Sequence, residues 1–355
     1  MLNKILIAFG LNPDNYCTEP FGSGLINSTW KISGNKEHYI LQSINHNVFK
    51  NPHDIADNLT MIGQYLKENN PAYLFAAPLH TKNGNSLVES DGNYYRLSPY
   101  INNSHTINAI SQSDQAYEAA RQFGKFTHLL QNFDPLKLKF TLTDFHNLTL
   151  RVEQFETALK HTDTEKLKQA RFEIQQIANH VEISKIYEQL IQKKQIPLRV
   201  IHHDTKINNV LFDENNKGLC VIDLDTVMPG YFISDVGDMM RTYLSAANEE
   251  EQDMAMIQVD IDNFAAIYKG YMQEMGKALT QLEKSLFIYA GKFMIYMQAL
   301  RFLTDFLNGD TYYQIKYPGH NLTRAKNQLI LLNKYIECED RFDQIILKES
   351  QILIN

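Results

Sequence analysis

Residues 200–230, VIHHDTKINNVLFDENNKGLCVIDLDTVMPG, place two histidines, a lysine, two adjacent asparagines and two spaced aspartates around one predicted β-hairpin. The apolar runs NVLFD and LCVID flank the polar loop ENNKG, which is typical of two antiparallel strands joined by a turn. Pairing these runs predicts three cross-strand partners: Val210 with Ile222, Leu211 with Val221, and Phe212 with Cys220. In this register, the loop before the first strand and the residues after the second strand meet at one end of the hairpin.

Three of the polar residues, Asp204, Asn209 and Asp223, have the chemistry that phosphoryl transfer requires. Mg²⁺ prefers oxygen ligands and is commonly held by one or two protein groups plus substrate phosphates, which the Asn209 amide and the Asp223 carboxylate suit. A further carboxylate, Asp204, can then accept the proton of an attacking hydroxyl. His202, Asp204 and Asn209 have the spacing of a kinase catalytic loop, and Asp223 follows its hairpin as the metal-binding aspartate of that fold does.

The histidines of this stretch are given a structural role. His202 is expected to hydrogen-bond to the backbone and to shape the loop. A zinc site formed by His202 and His203 is disfavoured, because adjacent residues on an extended chain point in opposite directions. A surface hairpin with polar turns is the structural alternative to a catalytic site, and the position of Asp223 after the hairpin argues against it.

Length and composition restrict the class of protein. A chain of 355 residues is long enough for two lobes, and its 44% hydrophobic and 21% charged residues are typical of a globular protein. The net charge of −7 gives no general attraction for polyanions, so nucleic-acid and membrane partners are not expected. The three cysteines lack zinc or disulfide spacing, and neither a secretory signal nor an apolar membrane span is visible. These features favour a cytoplasmic enzyme, and its oligomeric state stays open.

The first third of the chain is predicted to be rich in β-strands. An initial strand near residue 20, a glycine turn and the strands STWKIS and HYILQSI form an antiparallel meander. A helix over 54–69 follows, with Asp54 as its candidate N-cap. Asp91-Gly92 then joins two further strands, NSLVES and NYYRLSPYI, as a hairpin.

The remainder of the chain is predicted to be mainly helical. Long helices are expected at 114–133, 148–160, 164–194, 249–277 and 280–308, with the polar hairpin between the third and the fourth. We therefore predict a bilobal α+β fold. Its small β-rich N-lobe spans residues 1–100, and its larger helical C-lobe spans residues 101–355.

Two segments of the predicted N-lobe are candidates for nucleotide contacts. Gly22, Ser23 and Gly24 lie at a strand-to-strand turn, where glycines let backbone N–H groups approach phosphate oxygens, although an ordinary turn uses glycine equally well. A Rossmann or Walker loop is disfavoured because such loops join a strand to a helix. The segment Pro99, Tyr100 and Ile101 fits an interlobe hinge that meets adenine, or a plain linker.

The third predicted strand lacks an expected cation. Protein kinases carry a lysine on the third strand that holds the nucleotide phosphates, but HYILQSIN has Gln42 and Ser43 and no lysine or arginine. Lys31 on the preceding strand is the candidate substitute. The absence of one cation is expected to slow phosphoryl transfer more readily than to abolish it, because positioning and charge neutralisation are shared among several groups.

The motifs together resemble those of the aminoglycoside-phosphotransferase-like kinases, and within them those of N-acetylhexosamine 1-kinases. The segments that carry the resemblance lie between about residues 20 and 326: FGSGLINSTW, YILQSIN, YRLSPYI, HHDTKINNVLF, VIDLDTVMPG, DVGDMMR and RFLTDFLNGDTYYQIKYPGHNLTRA. The resemblance implies a protein-kinase-like fold and the use of ATP with Mg²⁺. It also implies transfer of the γ-phosphate to the anomeric hydroxyl of GlcNAc or GalNAc.

The resemblance also implies roles for individual residues. Asp204 corresponds to the catalytic base, and Asn209 and Asp223 correspond to the metal ligands. Arg301 and Tyr312 correspond to sugar-contacting positions, and Asp204 and Asp223 are expected near the sugar as well. Without the resemblance, Arg301 would be interpreted as a solvated charge on an amphipathic helix and Tyr312 as a packing residue.

Two further aspartates have more than one interpretation. Asp225 either reaches a second metal ion or caps the turn before Pro229. Asp235, in the segment SDVGD, is predicted to cap the following helix, and the resemblance implies that it also braces the catalytic loop.

Two other functions remain open from the sequence. One is a kinase of the same fold that acts on choline, ethanolamine, another amino alcohol or an aminoglycoside. Cationic acceptors of this kind need an acidic or aromatic pocket, and the pair of Arg301 and Tyr312 argues against one. The other is a pseudokinase-like nucleotide-binding protein, which the missing third-strand cation favours and the retained Asp204, Asn209 and Asp223 disfavour.

Overall fold

The N-lobe is built on an antiparallel sheet. The computed structural model describes residues 2–22, 24 and 26–354, without the side chains of 352–354. Five strands are paired in the order β1-β2-β3-β5-β4. They are β1 (Cys17–Pro20), β2 (Ser28–Ser33), β3 (His38–Ile44), β4 (Val88–Ser90) and β5 (Asn93–Pro99). Asp91 and Gly92, which join β4 to β5, both have positive φ angles, so the predicted hairpin turn is confirmed.

The two faces of this sheet differ in chemistry. Helix α1 (Leu2–Ala8) packs on one face, where its Ile5 and Leu6 are buried with Leu41 and Leu97 of the strands. Since side chains alternate across a strand, the neighbouring positions point to the other face. By their registers, the residues that share this second face include Thr29, Lys31, Gln42, Arg96 and Ser98. The sheet therefore gathers polar groups on the side that α1 does not cover.

Helix α2 (Pro52–Asn69) follows β3 and connects the N-lobe to the rest of the molecule. Its buried Asn58 donates from Nδ2 to the carbonyls of Lys139 and Val227 at 2.9 and 3.1 Å. Asn51 occupies the N-cap position and Pro52 begins the helix, so the prediction that Asp54 is the N-cap was wrong. Proline is common at the first helical position, because an N–H at that position would have no intrahelical acceptor.

The chain leaves the N-lobe after β5 and runs along the polar hairpin. The backbone of His105 exchanges two hydrogen bonds of 2.9 Å with the backbone of Phe212, in the first strand of that hairpin. Residues 99–101 therefore lie where the chain passes from the sheet to the C-lobe, which is the position that a hinge would occupy. The linker ends at helix α3 (Ser113–Leu129).

The C-lobe is helical around two short antiparallel strand pairs, β6 with β9 and β7 with β8. These strands are β6 (Arg199–Ile201), β7 (Val210–Phe212), β8 (Gly218–Val221) and β9 (Met228–Gly230). The helices after α3 are α4 (Leu148–His161), α5 (Thr164–Gln169), α6 (Arg171–Asn179), α7 (Glu182–Gln192), α8 (Phe232–Tyr243), α9 (Ile261–Met275), α10 (Gln281–Ser285), α11 (Phe287–Leu307), α12 (His320–Glu337) and α13 (Glu339–Ile354). This small antiparallel N-lobe and large helical C-lobe confirm the predicted fold class.

Several predicted helices were wrong in extent. The stretch 164–194 is three short helices, broken near Ala170 and at residues 180–181, and the region 249–277 is helical only from Ile261 onward apart from one 3-10 turn. Asp260 caps α9 by accepting from the amides of Asp262 and Asn263, so the helix starts at this capping residue. Nearly all of α11 is buried, which makes it the central helix of the C-lobe core. Within the described residues, no helix is both long and apolar enough to span a bilayer.

Candidate active site

The polar hairpin forms, but its register differs from the prediction by one residue. Val210 pairs with Val221, Leu211 with Cys220 and Phe212 with Gly218, with an irregularity between Leu211 and Phe212. The turn explains the shift. The Asp213 carboxylate accepts from the amides of Asn215 and Lys217 at 2.8 Å each, which closes a side-chain-supported turn that the apolar pattern does not reveal.

The open end of the hairpin nevertheless gathers the predicted polar groups. The Ile222 amide donates to the Asn209 carbonyl at 2.8 Å, so Asn209 lies opposite Ile222 and next to Asp223. The Asn209 side chain donates from Nδ2 to the Asp204 carbonyl at 2.9 Å and to Asp204 Oδ2 at 3.0 Å. Because the side-chain nitrogen of Asn209 makes both contacts, the side-chain oxygen of Asn209 remains available for another partner.

Lys206 completes the immediate surroundings of Asp204. Its Nζ lies 3.2 Å from Asp204 Oδ1, while Asn209 holds the other carboxylate oxygen. Burial alone would raise the pKa of Asp204, but the charge of Lys206 and hydrogen bonds with Lys206 and Asn209 lower it below its ordinary value. Asp204 is therefore ionised at neutral pH. Lys206 was given no role from the sequence, although it lies only two residues after Asp204.

The catalytic loop is braced from helix α8. Asp235 Oδ2 accepts from the His202 amide at 2.9 Å, and Asp235 Oδ1 accepts from the His203 amide at 2.7 Å. The neighbouring Asp238 accepts from the Thr205 amide at 2.8 Å. Carboxylates of α8 thus hold the backbone on both sides of Asp204, and the bracing role expected of Asp235 is confirmed.

The capping role predicted for Asp235 was wrong. Tyr231 is the N-cap residue of α8, and no side-chain cap is formed there. Asp235 lies within the first turn of the helix, where its two oxygens are engaged by the loop amides instead.

The two histidines of the loop bond to the backbone. His202 Nε2 lies 2.8 Å from the Ile222 carbonyl, and its Nδ1 accepts from the Asp204 amide at 3.3 Å, so both ring nitrogens have backbone partners. His203 Nδ1 lies 3.1 Å from the Thr226 carbonyl. The predicted structural role of His202 is confirmed. A zinc site from this pair would require the loss of one of the two His202 bonds.

Asp223 follows β8 in a left-handed backbone conformation, with φ 57°. This conformation turns the chain sharply after the hairpin and is one that aspartate tolerates better than most residues. Burial removes much of the hydration of its carboxylate, and the carboxylates of Asp225 and Asp204 add repulsion, which together raise the pKa of Asp223 to about 7. Negative charge thus accumulates at the end of the hairpin.

The donor set at this point suits Mg²⁺. Asp223 and Asn209 offer oxygen atoms, and the raised pKa of Asp223 marks a place where a cation would relieve repulsion among carboxylates. Among the described residues, no three His, Cys, Asp or Glu side chains form a metal cluster by themselves. A site made of one amide and one carboxylate fits an ion that takes its remaining ligands from phosphates and water.

Asp225 makes its side-chain contacts in the other lobe. Its buried carboxylate forms an ion pair with Arg96 of β5 and accepts from Asn27 Nδ2 at 2.6 Å. The interpretation of Asp225 as a cap for the turn before Pro229 is wrong, since both carboxylate oxygens face the N-lobe. A second-metal role would require one of these contacts to open.

Arg96 is the cation on this face of the sheet that sequence reasoning missed. It is the cross-strand partner of Gln42, the position where the third-strand cation was absent, and its Nε and Nη2 donate to Gln42 Oε1 at 2.9 and 2.8 Å. The charged residue within the run NYYRLSP was the local signal that could have revealed it. The predicted substitute, Lys31, instead has its Nζ 4.3 Å from the centre of the Tyr100 ring.

The predicted nucleotide segments belong to the β1–β2 connection and to the end of β5. Gly22 has a φ of +78° and Gly24 lies in the same connection between β1 and β2, while Ser23 lies outside the described residues. The positive φ explains the glycine at position 22. Pro99 ends β5, and the Tyr100 amide donates to the His38 carbonyl at 2.9 Å. The Ile101 carbonyl accepts a hydrogen bond from the Ser104 hydroxyl.

Arg301 and Tyr312 line the same cavity. It has a volume of about 540 Å³ and lies among α4, the C-terminal end of α11 and residues 311–313. The Arg301 guanidinium lies within 5.8 Å of the ring centres of Phe145, Tyr312 and Tyr313. Phe145 in turn lies 6.4 Å, centre to centre, from the His203 ring of the catalytic loop. The two sequence-predicted residues are therefore neighbours, and one aromatic ring separates Arg301 from that loop.

A buried carboxylate shapes the loop that carries Tyr312. Asp305 accepts from the amides of Thr311, Tyr312 and Tyr313 at 2.9 Å each, and from Asn321 Nδ2 at 2.9 Å. Tyr312 itself is 71% exposed, so its position depends on this backbone anchor more than on packing. Asp305 was not predicted, although it lies within the segment RFLTDFLNGDTY.

Comparisons with known proteins assign the class. A model of the phosphotransferase enzyme family, APH, matches residues 18–269, a span that includes the N-lobe sheet, the catalytic loop and the hairpin. The chain therefore belongs to the phosphotransferase enzyme family.

Solved structures support the kinase-like fold. A microcompartment-associated aminopropanol kinase is 13% identical, with a TM-score of 0.67 over 95% of this chain and 97% of that chain. A spectinomycin phosphotransferase in complex with ADP and spectinomycin is 15% identical, with a TM-score of 0.58 over 97% and 98%. A choline kinase from Cryptosporidium parvum Iowa II is 15% identical, with a TM-score of 0.56 over 100% and 99%.

Proposed function

We propose that this phosphotransferase is an ATP-dependent sugar 1-kinase that transfers the γ-phosphate of ATP to the anomeric hydroxyl of an N-acetylhexosamine, GlcNAc or GalNAc. The observation that carries the proposal is the convergence of Asp204, Asn209 and Asp223 at one end of the hairpin. The cavity of Arg301 and Tyr312, which Phe145 separates from His203 of the same loop, supports a small acceptor. The likeness to a phosphotransferase that binds ADP supports the use of a nucleotide.

Asp204 is the proposed general base. Its carboxylate is ionised, because Lys206 and Asn209 favour the charged form, and those two residues also fix its position. A base with a low pKa accepts the hydroxyl proton late, as the new bond to phosphorus forms, which suits a loose transition state in which little charge develops early on the attacking oxygen. Lys206 lies beside the base and stabilises negative charge on the transferred group.

Asn209 and Asp223 are the proposed ligands of Mg²⁺. The ion, when bound, neutralises charge on the phosphates and orients them. The chain's own contribution is to present one amide oxygen and one carboxylate from just before the first strand and just after the second, at the open end of the hairpin. Asp204 and Asp223 are also proposed to lie near the sugar.

Nucleotide contacts are proposed for Gly22, Ser23 and Gly24 over the phosphates and for Pro99, Tyr100 and Ile101 at the base. Glycines in the β1–β2 connection let the backbone approach a ligand without a Cβ in the way, and Gly22 also supplies the positive φ that the connection needs. The hinge backbone at residues 99–101 offers groups for adenine.

The acceptor cavity favours a neutral sugar over an amine. Arg301 is surrounded by aromatic rings and lies near Arg151, whose pKa is lowered by burial and by the charge of Arg301. A cationic acceptor would add positive charge to this pair, whereas hydroxyl and acetamido groups can accept hydrogen bonds from the two guanidinium groups. Tyr312, exposed at the cavity, supplies an aromatic surface and a hydroxyl.

A kinase of the same fold that acts on a small amine is the second candidate. The structures of an aminopropanol kinase and a choline kinase, both similar in fold, favour it. Two carboxylates line the cavity, Asp305 and Glu153. Asp305 is committed to three backbone amides and to Asn321, so Glu153 is left to attract an amine while the guanidinium groups of Arg151 and Arg301 repel it, which argues against this candidate.

The deciding experiment measures ADP release with ATP, Mg²⁺ and a panel of acceptors: GlcNAc, GalNAc, glucose, 1-amino-2-propanol, choline and spectinomycin. We expect turnover with GlcNAc or GalNAc that is lost in Asp204→Ala, and a product whose C1 resists borohydride reduction. Turnover with amines alone would establish the second candidate instead. ATP binding without turnover on any acceptor would support a nucleotide-binding protein that is not a kinase.

A further inference from the structure

The face of the N-lobe sheet that α1 does not cover carries a buried arginine, Arg96, which pairs with a carboxylate of the other lobe. Arg96 is 4% exposed and its partner Asp225 is 2% exposed. The two residues belong to different lobes, β5 on one side and the loop after the hairpin on the other. Burying an ion pair between the lobes carries a desolvation penalty, and apolar residues of similar size often stabilise a fold equally well. Stability alone therefore does not explain this pair.

The orientation of the guanidinium is fixed on two sides. Nε and Nη2 donate to Gln42 Oε1, and Nη1 pairs with Asp225. A guanidinium has five N–H groups, so these three contacts leave one N–H on each terminal nitrogen. Two neighbouring donors of this kind match the oxygen atoms of a phosphate.

The position of Arg96 fits a phosphate site. Asp225 lies two residues after Asp223, the proposed metal ligand, and Asn27 at the end of the glycine connection donates to Asp225 at 2.6 Å. Arg96 and the end of the glycine connection therefore meet at the same carboxylate, and the charge of Arg96 also acts on Asp223. A nucleotide that lies under this connection with its phosphates at Asp223 brings those phosphates next to the guanidinium.

The other cation on this face is engaged elsewhere. Lys31 pairs across the sheet with Ile40, two residues along β3 from Gln42, and its Nζ lies 4.3 Å from the centre of the Tyr100 ring. Two residues along a strand correspond to about 7 Å. Lys31 thus lies nearer to the hinge end of the sheet, away from Asp225.

We infer that Arg96 is the cation that positions the nucleotide phosphates in this protein, held for that task by Gln42 and Asp225. Where protein kinases use a lysine on the third strand, this chain has a glutamine that orients an arginine from the adjacent strand. The inference rests on the proposed use of ATP. It assigns Arg96 to binding and alignment of the nucleotide, and it predicts no effect on the acceptor site.

The test combines removal of the cation with its transfer to the facing strand. The variants are Arg96→Gln, Arg96→Lys and the double variant Arg96→Gln with Gln42→Lys. Each is measured for affinity for ADP with Mg²⁺ by calorimetry, for the KM of ATP and of the acceptor, for kcat, and for the melting temperature. Arg199→Gln is the matched control, because Arg199 forms a bidentate pair with the buried Glu283 of α10, outside the proposed site.

We expect Arg96→Gln to weaken ADP binding and raise the KM of ATP by about tenfold or more, with the acceptor KM changed less than about threefold. Arg96→Lys retains the charge without the planar fork and is expected to lose less. The double variant restores the positive charge on β3 and recovers most of the nucleotide affinity. Arg199→Gln lowers the melting temperature and leaves the KM of ATP unchanged.

Each other outcome has a defined meaning. If Arg96→Gln keeps the affinity for ADP and the KM of ATP within about twofold of the wild type, Arg96 is a structural residue and the inference is overturned. If Arg96→Gln does not fold, the comparison of the wild type with Arg96→Lys and the double variant decides, and a folded double variant without nucleotide affinity overturns it. If the wild-type protein binds no ADP, the proposed function itself is refuted. This result is distinguishable from failure of the inference about Arg96, because it is observed without any variant.

Discussion

The predicted catalytic loop and the Arg96 cluster, which consists of Arg96, Gln42 and Asp225, are built in opposite ways. The loop residues Asp204 and Asn209 are close together in sequence, and carboxylates of α8 fix the backbone around them. Arg96, Gln42 and Asp225 come from three distant segments and meet only through strand register and contact between the lobes. The first arrangement is a local motif on a rigid support, whereas the second exists only when both lobes are folded and in place.

This difference leads to unequal expectations for substitutions. Changes in the catalytic loop should alter chemistry or stability strongly, because each group has a single fixed position. Changes in the cluster should alter nucleotide affinity more than the maximal rate. Arg96 is inferred to bind the phosphates, and the backbone and the proposed metal ion share the task of positioning them.

The largest effect is expected from Asp204→Asn, which keeps the shape of the side chain and removes the base. We expect kcat to fall by a factor of about 10² to 10⁴, with ADP affinity little changed. Steady-state kinetics and calorimetry on the same preparation measure the two quantities. Asp91→Asn is the control, since Asp91 lies in the β4–β5 turn with a φ of 52°, which asparagine also tolerates. Equal loss of kcat and of ADP affinity in Asp204→Asn would contradict the assignment.

The next largest effect is expected from Asp235→Asn, which weakens the brace beneath the catalytic loop. Asparagine keeps one acceptor oxygen, so one of the two amides of His202 and His203 loses its buried partner. A buried donor left without a partner costs about 1–3 kcal/mol of the free energy of unfolding. Urea denaturation measures this loss, and kcat should fall with little change in the KM of ATP. A variant as stable as the wild type would show that the loop does not depend on this brace.

The loop should also be sensitive to acid through His203. Burial lowers the pKa of His203 to about 3, whereas an unfolded histidine titrates near its ordinary value of about 6.5. Between these values the unfolded state binds the proton and the folded state does not, so stability falls as the pH is lowered. The expected slope from this group is about 1.4 kcal/mol per pH unit at most.

Denaturation at several pH values between about 7 and about 4 tests this slope. His203→Asn should flatten the slope, because asparagine does not titrate and tolerates the positive φ of this position, 68°. His53→Asn on the exposed side of α2 serves as the control. An unchanged slope in His203→Asn would place the origin of the acid sensitivity in another group.

The smallest effect is expected in the cluster, from Asn27→Ala. This change removes the hydrogen bond to Asp225 and the one that Asn27 accepts from the Asn45 amide at 3.0 Å, while the Arg96 to Asp225 pair remains. Two partly buried hydrogen bonds contribute about 1–2 kcal/mol to folding stability. We expect about 0.7–1.4 kcal/mol of this to be lost from nucleotide binding, so the KM of ATP rises by about three- to tenfold with kcat nearly unchanged. A fall in kcat with an unaltered KM would place Asn27 with the catalytic loop instead.

Parts of the fold followed directly from sequence. The strands STWKIS and HYILQSI, the hairpin at Asp91-Gly92 and helix α2 form within a few residues of their predicted positions, because alternation, turn residues and helical periodicity are local signals. The break of 164–194 into three helices was not visible, since its apolar residues keep a helical spacing across each break. The hairpin register was missed because the turn is set by the Asp213 side chain.

The same division applies to the site. Asp204, Asn209 and Asp223 were identified because catalytic-loop residues lie close together in sequence and the hairpin returns the chain to its starting point. Arg301 and Tyr312 came from a resemblance, and the structure places them on one cavity. The guanidinium of the cluster was missed, because a cation was sought on β3 and on the strand before it, whereas it enters from the strand on the other side.

Short-range spacing and the chemistry of a few side chains were enough to predict the kinase-like fold class and the convergence of oxygen donors at the end of the hairpin. The cation that pairs with Asp225, and the cavity that Arg301 and Tyr312 share, were seen only in the folded molecule. Strand register places Arg96 opposite Gln42, and the packing of the two lobes brings it to Asp225. Such pairings depend on distances between segments remote in sequence, and no local pattern specifies them.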